Sequence, residues 1–310
     1  MAAQTKARGV LRDADGQFRP LFMYTIMVLQ LVALVVEFCL NYQLTGSVIA
    51  TSPQFNYMIG PAPYTWVQVG ARYTPCIRPT KLSQQPSQLI SIAGASSPLT
   101  LSELCGFGGF EAGHPNQWYR LILPMFLHGG IIHLLFNMAF QWRNGLQMER
   151  DWGAHRVAPI YLLGGMGGFL LGATLAPPSM VSMGASGALF ALMAACIVEL
   201  LQHWGETAGR GRMLAELIGM VVISLVLGLL PGIDNFSHIG GFLFGLLLAL
   251  ACLPAVPGRF WTLMRWGSAA VLIAVFAILF SVFYAADDPT TICPGCRYLS
   301  CLPINGWCDI

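Results

Sequence analysis

Seven apolar stretches, each near the length a helix needs to cross a bilayer, constrain this chain more than any other feature. A hydrocarbon core about 30 Å thick takes about 20 apolar residues of helix to span. The stretches cover approximately residues 21–42, 121–140, 157–175, 183–201, 213–230, 238–253 and 267–285, several of them short or rich in glycine. Composition agrees: 55% of residues are hydrophobic and 10% charged, against roughly 25% charged in an ordinary soluble domain. Such a chain lacks the polar groups to cover its own surface, and the expected class is an all-α polytopic membrane protein.

Basic loops close to spans stay on the cytosolic side. With the N-terminus inside, Lys6, Arg8, Arg12, Arg19, Arg143, Arg150, Arg156, Arg210, Arg212, Arg259 and Arg265 are cytosolic. Arg72, Arg78, Lys81, Arg120 and Arg297 fall opposite, mostly in the long 43–120 segment where the rule has least force. Residues 1–20 show no clear small-residue cleavage site after the apolar run and read as a retained cytosolic tail. Cys39, Cys196 and Cys252 lie within spans, whereas Cys76, Cys105, Cys293, Cys296, Cys301 and Cys308 all fall on the lumenal or extracellular side. Disulfides persist in oxidising compartments, so pairing is the natural reading, and it suits a secretory-pathway or plasma membrane. Connectivity stays open, and a zinc site is the rival for the tail, since its CxxC element permits one.

The 43–120 segment, rich in Pro, Ser, Gly and aromatics and without a helical period, is expected to form an ordered extramembrane cap. Residues 121–254 then form the core, 255–285 a cytosolic linker and seventh helix, and 286–310 a lumenal cysteine-rich tail. The loops at 176–182 and 231–237 are short and hydrophobic, which leaves little soluble material above the helices they join.

Polar groups inside spans are expensive, so each asks for a reason. The fourth stretch opens with Ser182-Met183-Gly184-Ala185-Ser186-Gly187 and the sixth with Ser237-His238-Ile239-Gly240-Gly241, both on the lumenal side. A serine hydroxyl needs a base to become a useful nucleophile, and neutral imidazole suits that work near pH 7. Gly184 and Gly187 flank the serine, and Gly241 with Gly245 makes a small-xxx-small step on the histidine helix, so the two backbones can approach closely. In the second stretch, His133 and Asn137 are four apart on one helical face. There they can donate to a developing oxyanion together with the Ser186 amide. His128 lies off that face, with an expected hydrogen-bonding role in holding the cap. The bland alternative for these groups is polar glue between helices. Glu37, near the lumenal end of the first stretch, is expected to be solvated or hydrogen-bonded at the interface.

Taken together, GASG in one span, a histidine followed two residues later by a glycine pair two spans on, and HxxxxHxxxN two spans before the serine resemble the rhomboid intramembrane serine proteases. The resemblance covers about residues 118–250, and the seventh helix with a cytosolic N-terminus looks like the secretase-type members. It implies a rhomboid-like six-helix core plus one C-terminal transmembrane helix. It also implies a Ser186/His238 dyad without a third acid, and an oxyanion hole from His133, Asn137 and the Ser186 amide. Peptide bonds of single-span membrane proteins would be cut near the lumenal face of the lipid bilayer, with no cofactor or metal. Arg120 matches the family's Trp-Arg position, although Tyr119 replaces the tryptophan; Glu149 and Gly153 repeat its ExxxG element. Phe190 stands where relatives often carry a tyrosine stacked on the histidine, Ser237 replaces a usual alanine and is expected to matter little, and Asn235 matches a polar position in some relatives.

Other classes fit less well. An escort that binds membrane proteins without cutting them typically loses the serine or histidine, and both are present. A transporter or channel would show inverted repeats or a charged pathway. A zinc protease would carry HExxH, an aspartyl enzyme paired intramembrane Asp residues, and nothing points to nucleic acid.

Overall fold

The computed structural model describes residues 16–53, 55–84, 88–110, 113–230, 232–254, 256–286, 288–301 and 304. Most of the expected N-terminal tail, including Lys6, Arg8 and Arg12, lies outside the described residues, as does Cys308.

Helix α1 is Leu21–Thr45. The first amides of a helix have no partner within it, and here the Glu149 carboxylate accepts from the Phe22 and Met23 N–H groups at 2.9 and 2.7 Å. The helix closes at Gly46, whose φ of 74° is a left-handed stop. The second stretch becomes helical only at Ile131, ten residues later than the apolar run begins. Residues before it form short 3₁₀ turns at Trp118–Leu121 and Leu123–Met125, because Pro124 and the Gly129-Gly130 pair interrupt a regular helix. Helix α2 is Ile131–Phe140, continued through a π turn at Gln141–Gly145 into the helical stretch Leu146–Trp152. Its first two amides donate to Ile59 and Met58 carbonyls, both at 3.1 Å, so the cap fixes where α2 starts.

The remaining long helices are α3 (Ala154–Leu175), α4 (Ser186–Gln202), α5 (Arg210–Leu227), α6 (Asn235–Cys252) and α7 (Arg259–Ala285). Among the described residues α1, α3, α6 and α7 are long and apolar enough to cross a membrane, and α4 is a shorter apolar helix. Arg210, Arg212 and Glu216 make the opening turns of α5 polar. The segment from Arg259, expected to be a linker, belongs to α7, since no breaker follows Gly258.

The core sits where α3, α4 and α6 meet, around Tyr161, Phe169, Ala188, Ala191, Phe244 and Leu248. These helices touch backbone to backbone. A Cβ on Gly241 would lie 2.0 Å from the Gly187 carbonyl oxygen, and one on Gly168 would lie 2.4 Å from that of Ser237. Only glycine permits such contacts.

The cap is built from the short helices Pro63–Gln68, Thr74–Ile77 and Leu101–Cys105 around Val67, Tyr73, Cys76, Leu101, Leu104 and Cys105. Thr100 and Glu103 close the last of these with reciprocal hydrogen bonds. Cys76 and Cys105 are joined by a disulfide, as are Cys293 and Cys296 in the tail. Cys301 is disulfide-bonded too. The tail's CxxC thiols are therefore spent on each other, which leaves no thiolate pair there to ligate zinc.

Candidate active site

The segment before α4 sets the position of its first residue. Gly184 has φ 122°, a conformation other residues rarely adopt, and its N–H donates to the Pro124 carbonyl at 2.8 Å. That kink stops the helix from starting at Met183, as the apolar run had suggested, and makes Ser186 the first residue of α4. The Ser186 amide therefore has no partner within the helix and faces outward with the positive end of its dipole.

Fifty-two residues along the chain, His238 lies in the first turn of α6. Its Nε2 is 2.8 Å from Ser186 Oγ. Phe190, one turn into α4, stacks on the imidazole with ring centroids 4.6 Å apart and planes 12° from parallel. The stack and the hydroxyl together fix the ring's plane and rotation. His238 Nδ1 is buried and has no hydrogen-bond partner among the described residues. Among the described residues the serine is thus the ring's one hydrogen-bond partner.

His133 lies on the other side of Ser186, against Gly184. A Cβ at Gly184 would meet the His133 ring at 2.6 Å, and Ser186 Oγ would be 3.7 Å from the same point. The Gly129 N–H donates to His133 Nδ1 at 3.2 Å, so the ring proton resides on Nε2. Asn137, one turn further along the same face, is buried, and its Nδ2 donates to no acceptor among the described residues. The His133 ring thus lies beside the Gly184–Ser186 segment, and Asn137 offers an unpaired buried donor on the same face of α2.

A rhomboid domain model matches residues 115–255. Rhomboid-type serine protease 2 of Emericella nidulans is 36% identical, an alignment covering 92% of this chain and 71% of that protein. This chain belongs to the rhomboid family. It is accordingly an integral, multi-pass membrane protein. RHOMBOID-like protein 4 of Arabidopsis thaliana is 35% identical over 73% of this chain and 61% of the relative. Inactive rhomboid protein 1 of Homo sapiens is also 35% identical, over 66% of this chain but 24% of that protein. Rhomboid relatives thus include one named a protease and one named inactive, and activity has to be argued from the site.

Other positions singled out from the sequence make contacts away from Ser186 and His238. Arg120, fully buried, donates to Gln117 Oε1 at 2.7 Å, to the Val67 and Ala71 carbonyls at 2.9 and 2.7 Å, and to the Cys105 carbonyl. Burial lowers its guanidinium to about 10. Glu149 caps α1, as described above. His128 differs from expectation: its backbone N–H donates to Glu37 Oε1 at 3.1 Å, while both ring nitrogens are buried without hydrogen-bond partners among the described residues. It ties α1 through its backbone, and its ring lies 5.2 Å from that of His133. Glu37 is correspondingly buried and hydrogen-bonded, the second of its two expected states and not the solvated one. Asn235 also has a structural task. Its Nδ2 donates to the Leu225 and Leu299 carbonyls at 3.1 and 2.7 Å, and its N–H to Ser300 Oγ at 3.2 Å, joining α5, α6 and the tail.

Two residues were not singled out from the sequence. Asp234 caps α6, accepting from the Ser237 N–H at 3.3 Å and from the Ser237 hydroxyl, so Ser237 is more than a small residue. Arg72 of the cap lies 3.0 Å from Asp234, with both side chains almost fully buried. Burial lowers the Arg72 pKa, and the neighbouring carboxylate opposes that shift. The Asp-x-x-Ser spacing before His238 is a readable N-cap signal; nothing in the sequence connects it to Arg72.

Proposed function

We propose that this protein is an intramembrane serine endopeptidase, with Ser186 as nucleophile and His238 as general base and acid. The observation that carries the reading is the 2.8 Å contact between His238 Nε2 and Ser186 Oγ. It is supported by the stacked Phe190 and by the available donors of His133 and Asn137 on one face of α2. His238 takes the hydroxyl proton as Ser186 Oγ attacks the scissile carbonyl, and the oxyanion forms against the Ser186 amide, His133 and Asn137. The tetrahedral centre collapses as His238 returns the proton to the leaving amine. Water, deprotonated by His238, then hydrolyses the acyl-enzyme and frees the serine.

Substrates on this reading are single-span membrane proteins reaching the site from the lipid. A peptide bond inside a stable helix is shielded by its own hydrogen bonds, so helix-weakening residues near the lumenal end favour cleavage. The N-terminus is cytosolic and the disulfide-bearing tail lumenal or extracellular, which suits the secretory pathway or plasma membrane. Purified wild type, Ser186→Ala and His238→Ala proteins incubated with a panel of single-span substrates test this. Cleavage is expected to fall by roughly 10⁴-fold or more in both variants, and a fluorophosphonate is expected to label Ser186 in the wild type. Cleavage that survives both substitutions sinks the dyad. Binding without cleavage or labelling would assign the chain to the non-cutting role that the inactive relatives' name suggests.

A further inference from the structure

One cap residue reaches the approaches to both members of the proposed dyad. The Arg72 N–H donates to the Ser182 carbonyl at 2.8 Å and the Ser182 N–H to the Arg72 carbonyl at 3.0 Å, a two-way main-chain pairing four residues before Ser186. The Arg72 side chain is 3.0 Å from Asp234, four residues before His238, with side-chain exposures of 0% and 4%. Asp234 in turn holds the first turn of α6 through Ser237. It fits beside α3 because a Cβ at Gly172 would lie 2.6 Å from its Oδ2. The segments 182–186 and 234–238 are joined to α3 and α5 by short loops and have further anchors of their own, Gly184 on the Pro124 carbonyl and Asn235 on the Leu225 and Leu299 carbonyls. Arg72 is the residue that ties the two segments to each other, one through its backbone and the other through its side chain.

We infer that Arg72 and Asp234 are positioning residues that set the separation of Ser186 and His238, an inference that rests on the protease reading. A role in stability alone explains the pair poorly. Taking two charges out of water costs about as much as their attraction returns, so neutral side chains of similar size serve stability as well or better. The pair's distinctive property is its place: a single buried 3.0 Å ion pair joins the cap to the start of the histidine helix. The residues bracketing Arg72 share in that geometry, since the Ala71 carbonyl is held by Arg120, and Cys76 is disulfide-bonded to Cys105.

The test is a set of full-length variants: Arg72→Met, Asp234→Asn and the double Arg72→Met/Asp234→Asn. Thermal stability, kcat, KM and the rate of fluorophosphonate labelling at Ser186 are measured on each, with rates taken per folded molecule. Each single variant leaves one buried charge uncompensated and is expected to lose stability. The double variant has no uncompensated charge, and Met keeps the main-chain pairing with Ser182, so stability is expected to return close to wild type. Its kcat and labelling rate are nevertheless expected to stay about ten- to a hundredfold low, the cost of a sub-ångström misplacement, with KM little changed. A double variant with wild-type kcat overturns the inference and leaves the pair a structural one. Should the double variant not fold, Asp234→Asn alone, which keeps an N-capping side chain, is held to the same split between kcat and KM. Absence of Ser186-dependent cleavage in the wild type itself would overturn the protease reading and this inference with it.

Discussion

The α3–α4–α6 bundle and the cap are held together by opposite means. In the bundle, backbones meet directly, as where α6 passes Gly187 at Gly241. In the cap, irregular backbone is gathered by polar side chains: Arg120 alone serves three carbonyls and Gln117, and a disulfide closes Cys76 on Cys105. Lipid tails are as apolar as leucine, so helices in hydrocarbon gain little from burying apolar area and much from close backbone packing. A chain without regular structure instead leaves carbonyls that require donors. Each region uses the interaction its surroundings make strong, and the candidate dyad lies where the two regions join.

Substitutions in each region sharpen that contrast. The largest effect is expected from Gly241→Val, whose Cβ would meet Gly187 backbone atoms at 2.0 to 3.0 Å. Backbone cannot yield as a flexible side chain does, so α4 and α6 must separate. Cleavage and Ser186 labelling are expected to drop by about a hundredfold or more, together with a lowered melting temperature. Retained labelling would show that the close approach does not hold the dyad. Arg120→Met comes next. It strips four acceptors of a buried charged donor and is expected to cost about 3 kcal/mol, read from thermal unfolding. Labelling per folded molecule should fall less than in the Gly241 variant; a larger fall would make the cap, and not the bundle, the main determinant of site geometry. The smallest effect is expected from Phe190→Leu, which gives up a ring stack worth about 1 kcal/mol, or about fivefold in kcat. Phe190→Tyr keeps the stack and should stay near wild type. Equal rates in all three proteins would mean that the stack does not orient His238.

Much of the bundle was legible in the sequence, because apolar runs of spanning length have few other uses and a serine beside glycines in such a run is costly without a partner. The pairing of Cys293 with Cys296 matched the disulfide reading of the tail. Helix starts were less legible. Hydropathy alone does not distinguish the 3₁₀ turns at Trp118–Leu121 and Leu123–Met125 from the helix that follows, and it missed the Gly184 kink that makes Ser186 the first residue of α4. Both misses have one cause: backbone dihedrals at Pro and Gly interrupt a helix without changing how apolar the segment is.

The sequence by itself determined that this chain lives in a membrane, that its family is rhomboid, and which hydroxyl and imidazole are candidates to react. These follow from local composition and short motifs, and each is written in consecutive residues. Tertiary structure alone decided that Arg72 pairs with Asp234, that His128 turns inward and ties α1 through Glu37, and that Asn235 holds the tail. Those contacts join residues 64 to 162 positions apart, and no local pattern encodes which buried charge will meet which. Only the packing of the helices, set by glycines that let backbones touch, brings such partners within reach.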